Sequence, residues 1–161
     1  MQIHSLMQTG FAQNSRLISG ICEDVTKEEA FFRPYELVNH LSWEVGHLAF
    51  VRNTLIKLLE PTEKLIKFDN EIQLFTPNTP LLQDELFPSL PILNTVFAER
   101  GEKVIDLLGK VSEEHLKKES PFKLSAGKTI GEQLWTFFLH ESVHYGEMFY
   151  LKNIIKRQRV S

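Results

Sequence analysis

Four long segments of this chain carry apolar residues at intervals of three and four, the spacing that an amphipathic α-helix requires. They cover residues 3–25, 39–60, 91–110 and 129–157. No run of alternating polar and apolar residues is strong enough to indicate a sheet. The pattern therefore predicts an all-α protein in which residues 1–161 form a single domain with the architecture of a four-helix bundle.

A long connection separates the second segment from the third. It runs from Pro61 to Pro91 and contains Pro77, Pro80 and Pro88, which argue against one continuous helix. A connection of this length in a small domain usually covers a surface or helps to build a site. We therefore expect a long crossover between the second and third helices of the bundle.

Polar residues typical of helix starts mark several boundaries. Residues 26–29 and residues 129–132 each have the Thr-x-x-Glu spacing of a capping box. Residues 112–114 predict another short capped turn, and Asn39 is the predicted N-cap of the second long helix. These signals place the helix starts close to the ends of the periodic segments.

Charge and composition exclude several classes of partner. The formal net charge of −3 gives no electrostatic case for nucleic acid or acidic lipid. No stretch approaches the roughly 18 apolar residues of a membrane span, and the first residues, interrupted by polar side chains, do not resemble a signal peptide. The basic residues 152–159 are interpreted as the complement of a helix dipole.

Cys22 is the single cysteine, which fits a reducing compartment and leads us to expect a cytoplasmic protein.

Three histidines form the strongest candidate site. His140 and His144 lie four residues apart on the last predicted helix, about 6 Å along its axis, so both imidazoles can reach one ion. His47, on the apolar face of the second long helix, can supply a third nitrogen. Imidazole nitrogen favours zinc, nickel, copper or iron over calcium or magnesium. Water or a substrate atom would complete the coordination shell of such a metal.

The same residues allow other interpretations. A single histidine on an apolar stripe is more often a core residue that is hydrogen-bonded to a backbone carbonyl. Three buried imidazoles without a shared partner, however, would leave several polar nitrogens unsatisfied. Glu141 completes the pattern His-Glu-x-x-His, in which the glutamate of zinc proteases is the general base, with an exposed position on the surface of the long helix as the alternative. Only 17 residues follow His144 and no sheet is predicted, which disfavours a protease.

Two sequence blocks resemble motifs of the DinB-like superfamily. Residues 41–49 (LSWEVGHLA) resemble the family's second-helix motif, and residues 140–147 (HESVHYGE) resemble its last-helix motif. The resemblance covers nearly the whole chain. It implies a four-helix bundle, often a homodimer, with a divalent metal ion, zinc or nickel, bound by His47, His140 and His144.

The resemblance also implies a chemistry. Some relatives are transferases or isomerases that depend on a low-molecular-weight thiol such as bacillithiol, mycothiol or glutathione; others have no established activity, and some are damage-inducible. The leading hypothesis is a thiol S-transferase in which a metal-bound thiolate attacks a small-molecule electrophile near Trp43, Trp135 and Phe137. Glu147 stands where the family more often has glutamine, so only the three ligands are carried over.

Two rival hypotheses stay open. One is a metal-dependent hydrolase with Glu141 as the catalytic base. The other is a non-catalytic metal-binding module of a stress response, whose ion joins two helices. A structural zinc site would normally have a fourth protein ligand, and Cys22 has no metal-binding motif around it.

The remaining polar residues of interest receive weaker assignments. His40 is interpreted as an exposed residue at a helix start, with a place beside the metal ligands as the alternative. Tyr145 and Glu44 are interpreted as surface residues, with proton handling as the alternative. His4 and His115 lie among polar residues and are expected to be exposed.

Overall fold

The computed structural model describes residues 3–77, 82–124 and 127–160. The described helices are α1 (Ile3–Cys22), α2 (Lys27–Ala30), α3 (Leu41–Leu59), α4 (Glu71–Phe75), α5 (Leu90–Lys110), α6 (Glu113–Leu116) and α7 (Ile130–Gln158). The described residues contain no strand, only an isolated antiparallel bridge between Glu119 and Thr129. Four of the helices are long and match the four periodic segments, so the predicted all-α bundle is confirmed.

Two hydrophobic clusters fill the bundle and reveal the direction of each helix. The first contains Ile18, Ile21, Leu41, Val45, Leu48, Leu90, Leu93, Phe97, Met148, Leu151 and Ile155. The second contains Met7, Phe11, Leu55, Leu58, Val104, Leu108, Ile130 and Leu134. The first cluster joins the N-terminal halves of α3 and α5 to the C-terminal halves of α1 and α7, and the second does the reverse. Hence α3 and α5 are parallel to each other and antiparallel to α1 and α7.

The parallel arrangement of α3 and α5 explains the long crossover. Because both helices run the same way, the chain between them must return along the length of the bundle, and the connection includes the described residues 60–77 and 82–89. This segment contains α4 and a 3₁₀ turn, Asp84–Leu86. Pro77 follows α4 and Pro88 follows the 3₁₀ turn, while Pro80 lies outside the described residues.

Most predicted helix boundaries are confirmed, and two are corrected. The capping boxes of Thr26 and Thr129 both form. Ser112 accepts a hydrogen bond from the backbone of α6. Asn39 was the predicted N-cap of α3, but His40 holds that position, and its Nδ1 accepts from the backbone nitrogen of Trp43 at 3.0 Å. The first helix ends at Cys22, three residues before the end of the periodic segment.

Buried polar side chains pin the crossover against α3 and α5. Arg100 donates from Nη1 to Oε1 of Glu71 at 2.5 Å and to the carbonyl of Ala49 at 2.8 Å. Its Nη2 donates to the carbonyl of Ile66 at 2.6 Å, and Asn53 holds the other oxygen of Glu71 at 3.2 Å. This network fixes α4, and therefore the carbonyl of Phe75 at its end, beside α3.

Among residues 3–77, 82–124 and 127–160, no helix is long and apolar enough to cross a membrane.

Candidate metal centre

Three imidazole rings meet between α3 and α7. His140 and His144 lie one turn apart on α7, and the antiparallel α3 brings His47 to the same level. The Nε2 atom of His140 lies 3.0 Å from Nε2 of His144 and 3.3 Å from Nε2 of His47. The structure thus brings together all three of the histidines predicted from the sequence, through the same ring atom of each.

The opposite ring nitrogens of two of these histidines have protein acceptors. Nδ1 of His47 donates to the carbonyl of Phe75 at 2.8 Å, and Nδ1 of His144 donates to Oε2 of Glu44. Since a carbonyl can only accept, Nδ1 of His47 carries the hydrogen, and the carboxylate favours the same tautomer for His144. Both Nε2 lone pairs then face the centre, as metal ligation requires.

The donor set fits a divalent metal ion. Zinc–nitrogen distances of about 2.0–2.1 Å in a tetrahedral shell place neighbouring ligand atoms about 3.3–3.4 Å apart, close to the separations seen here. Without an ion, the single hydrogen that His140 can place on Nε2 must serve two lone pairs, while its buried Nδ1 has no hydrogen-bond partner among the described residues. An ion would satisfy all three Nε2 atoms together, so His47, His140 and His144 could hold a metal.

Burial keeps two of the rings neutral. It lowers the pKa of His47 to about 4, and it also lowers the pKa of His140 to about 4, with the neighbouring His144 adding to the effect. Burial alone would lower the pKa of His144 too, but the hydrogen bond and negative charge of Glu44 outweigh it and leave that pKa above its usual value. Near neutral pH, His47 and His140 present lone pairs without prior loss of a proton.

Aromatic rings enclose the centre on two sides. The indole of Trp43 stacks on the imidazole of His47, with ring centroids 4.7 Å apart and planes 6° from parallel. Phe137 meets His140 edge to face at 6.4 Å. Trp135 was predicted to join them, but it is a half-exposed residue whose ring packs on Phe138 instead.

Glu141 lies inside the bundle, where its carboxylate is bound to another residue and does not stand free beside the three histidines. Both its oxygens accept from Arg52, from Nε at 2.8 Å and from Nη2 at 3.0 Å, and both side chains are fully buried. A general base needs a lone pair that can reach the reacting proton. In this arrangement both carboxylate oxygens are already engaged.

Glu44 is a site residue that sequence reasoning assigned to the surface. It is only 4% exposed and accepts the Nδ1 hydrogen of His144. The exposed carboxylate of Glu147 also lies 3.4 Å from the same nitrogen. The signal that could have identified Glu44 is its position three residues before His47, on the same face of α3.

Three other histidines depart from expectation. His40 was expected to be exposed, but it is fully buried, because its ring packs edge to face against Phe31 and Phe87 while capping α3. His115 was also expected to be exposed, but it is half-buried and bonds the carbonyl of Leu58 at 2.8 Å. His4 is half-buried as well, with an enclosed Nδ1.

Comparisons with known proteins agree with this architecture. A model of the DinB superfamily matches residues 11–148. The fold is similar to the crystal structure of a DinB-like protein from Bacillus subtilis, at 16% identity and a TM-score of 0.66, over 94% of this chain and 92% of that one. It is also similar to a conserved protein from Enterococcus faecalis, at 15% identity and a TM-score of 0.70, over 94% and 96% of the two chains. No curated protein matches the sequence.

Proposed function

The chain belongs to the DinB superfamily, and from that premise we propose that it binds a divalent metal ion, zinc or nickel, through His47, His140 and His144. The proposal depends on the convergence of three Nε2 atoms. In His47 and His144 the opposite nitrogen, Nδ1, donates to Phe75 and Glu44, and these hydrogen bonds fix the tautomer that leaves the Nε2 lone pair free. Three lone pairs that converge in a partly buried cluster would be costly to leave without a shared partner.

Three protein ligands are typical of a reactive metal site and four of a structural one. Among the described residues, no fourth ligand accompanies the three histidines. The thiol of Cys22 lies elsewhere, on α1, where it donates to the carbonyl of Ile18 at 3.4 Å. This supports a site with a position left for a small molecule.

We propose that the small molecule is a low-molecular-weight thiol and that the protein is a thiol S-transferase. A divalent ion in the centre would lower the pKa of a thiol that shares its coordination shell. In the transfer, the sulfur forms a bond to the electrophilic carbon, the leaving group departs with its bonding electron pair, and the thiol proton goes to solvent. Trp43 and Phe137 would limit access of water to the centre, and Glu44 would hold the ring of His144. A cytoplasmic location, where such thiols stay reduced, is part of this proposal.

Elemental analysis of the purified protein tests the ligand assignment. We expect about one equivalent of zinc or nickel in the wild type and clearly less in His47→Ala and His144→Ala, because loss of a ligand weakens metal binding by at least about tenfold. His115→Ala, outside the centre, is the matched histidine control and should retain the metal. Equal metal content in all four proteins would overturn the assignment.

Turnover assays distinguish the transferase from the hydrolase and from the non-catalytic metal-binding module. The loaded protein is incubated with glutathione, bacillithiol or mycothiol and a chromogenic aryl halide, with and without a chelator. Thiol-dependent turnover that the chelator abolishes supports the transferase. Ester or peptide cleavage without thiol would favour a hydrolase, although the engaged carboxylate of Glu141 argues against it. Tight metal binding without any turnover would favour a non-catalytic module.

We further propose that the protein forms a homodimer. Trp135, Leu139 and Val143 recur every four residues along α7 and are exposed despite being apolar. Such a stripe is typical of a surface that another helix covers. Sedimentation analysis of the wild type should give a dimer, and Leu139→Ser with Val143→Ser should give a monomer. A wild type that is monomeric at high concentration would contradict this.

A further inference from the structure

A cavity lies beside the metal centre, between the loop that precedes α3 and the last turns of α7. Its volume is about 350 Å³. Its walls include Tyr35 and Leu37 from the loop, Glu44 from α3, and Glu147 and Tyr150 from α7. The volume is within the range of about 300–1,000 Å³ that small-molecule sites occupy.

Two carboxylates give this cavity its charge. Glu44 is 96% buried, since only 4% of its surface is exposed, yet it lines the cavity, and its Oε2 is held by His144. Glu147 adds a second carboxylate, the described lining residues include no lysine or arginine, and the single imidazole of His144 lies against both carboxylates. The cavity is therefore negative at the end that meets α3.

Apolar side chains surround the opening. Leu37 is 90% exposed, Tyr35 72% and Tyr150 65%. One such residue on a surface needs no explanation, but three around one cavity form a patch of the kind that ligands cover. The aromatic faces of the two tyrosines also attract cations.

We propose that this cavity binds a small molecule with an ammonium head and an apolar or aromatic body. The head would lie at the carboxylates of Glu44 and Glu147, and the body would cover Leu37, Tyr35 and Tyr150. That this molecule is the electrophilic substrate rests on the function proposed above, whereas its binding does not.

The chemistry of the cavity selects this class over the alternatives. An anionic ligand would meet two carboxylates and no lysine or arginine among the described lining residues, and the nearest group of opposite polarity, the imidazole of His144, already donates to Glu44. A neutral apolar ligand would displace water from the carboxylates of Glu44 and Glu147. It could not replace the hydrogen bonds that this water makes, and the loss of those bonds costs free energy. An ammonium group replaces those bonds with charge-assisted ones.

Titration calorimetry with three probes of one shape tests the proposal. The probes are 2-phenylethylammonium, 2-phenylethanol and 3-phenylpropionate, added to metal-loaded and to metal-free protein. We expect the cation to bind at least about tenfold more tightly than the neutral and anionic probes, since a hydrogen bond to a charged group is worth about 1.5–3 kcal/mol.

Matched variants test whether the preference for the cationic probe arises in this cavity. Glu147→Gln should weaken the cation about tenfold and leave the alcohol unchanged. Leu37→Ala should weaken both. Glu102→Gln, which removes an exposed carboxylate from α5, should change neither. Because Glu147 and Leu37 are exposed, these variants are expected to fold.

The outcomes separate this proposal from the metal assignment. Equal affinity for the three probes, no saturable binding of the cation, or equal losses in Glu147→Gln and Glu102→Gln would overturn it. Cation binding by a protein that takes up no metal would support the cavity and contradict the proposed function. Metal uptake without cation binding would support the metal assignment and contradict the proposed ligand of the cavity.

Discussion

Arg52 donates to both carboxylate oxygens of Glu141, from Nε at 2.8 Å and from Nη2 at 3.0 Å, and neither side chain is exposed. The remaining donors of Arg52 reach the carbonyl of Phe97 at 2.7 Å and the hydroxyl of Ser15 at 2.9 Å. The guanidinium also lies 3.6 Å from the centroid of the Phe97 ring. One arginine therefore joins all four long helices at a single level, and its partner Glu141 is next to His140 in the sequence.

Breaking this ion pair should destabilise the fold strongly. Glu141→Gln leaves a buried guanidinium without its counter-charge, and Arg52→Met leaves a buried carboxylate. Each is expected to lower the free energy of unfolding by about 3–5 kcal/mol. The double variant Arg52→Met with Glu141→Leu should recover most of that loss, because replacing both charges removes the unpaired one. Urea unfolding of the wild type and the three variants measures these changes.

A surface pair provides the control. Asp106 and Lys110 are ion-paired on the exposed face of α5, and Asp106→Asn should change the free energy of unfolding by about 0.5 kcal/mol or less. If Glu141→Gln were as stable as the wild type but inactive, Glu141 would be a catalytic base and our interpretation of it would be wrong.

The close approach of α4 to α3 predicts a second large effect. A Cβ atom at Gly46 would overlap the ring of Phe75, whose carbonyl holds Nδ1 of His47. Gly46→Ala should therefore displace Phe75, reduce stability by about 1–3 kcal/mol and weaken metal binding. Gly20→Ala is the matched control, since no atom lies near the added methyl, and it should stabilise α1 by about 0.5–1 kcal/mol. Unfolding curves and metal titrations measure both variants.

The stability of the metal-free protein should fall as the pH is lowered. Burial reduces the pKa of His47 and His140 to about 4, and that of His40 to about 3. In the unfolded chain these groups titrate near 6.5, so between about pH 6.5 and pH 4 the unfolded state binds protons that the native state excludes. Their contribution is complete above about pH 6.5 and is lost as the pH falls toward the folded values.

His144 has the opposite sign and partly offsets this trend. Its raised pKa stabilises the native state below the unfolded value, and that contribution is lost as the pH rises through the folded pKa. Urea unfolding at about pH 7.5 and about pH 5 should still show a net loss at the lower pH, because three groups oppose one. His40→Asn keeps a side chain that can cap α3 and should reduce the difference. A pH-independent stability would contradict the neutral state of the three rings.

The helices and the pair of histidines on α7 could be predicted from the sequence because both follow from local spacing. Apolar periodicity records which face of a helix is buried, and Thr129 with Glu132 marks where α7 begins. The i, i+4 pair His140 and His144 has one geometry on any helix. His47 was added because it lies on the apolar face of another predicted helix, and the family resemblance implied the same three histidines.

The residues that surround the three histidines, and the contacts that they make, could not be predicted in the same way. Arg52 and Glu141 are 89 residues apart, and nothing in either segment shows that the two charges neutralise each other inside the core. His40 looks exposed in sequence because it precedes a helix, yet the rings of Phe31 and Phe87 from distant segments bury it. Burial of a polar group is decided by neighbours that are far away along the chain.

The single thiol provides a final prediction, because its environment should make it inert. Burial raises the pKa of Cys22 to about 12, although the charge of Lys152 partly opposes this. Only the thiolate reacts with disulfide reagents, so at pH 8 the native protein should react about a thousandfold more slowly than a free cysteine. The rate should rise about tenfold per pH unit up to the folded pKa. Reaction with an aromatic disulfide reagent, followed by absorbance in buffer and in concentrated urea, measures the ratio, and rapid reaction of the native protein would show that Cys22 is accessible as thiolate.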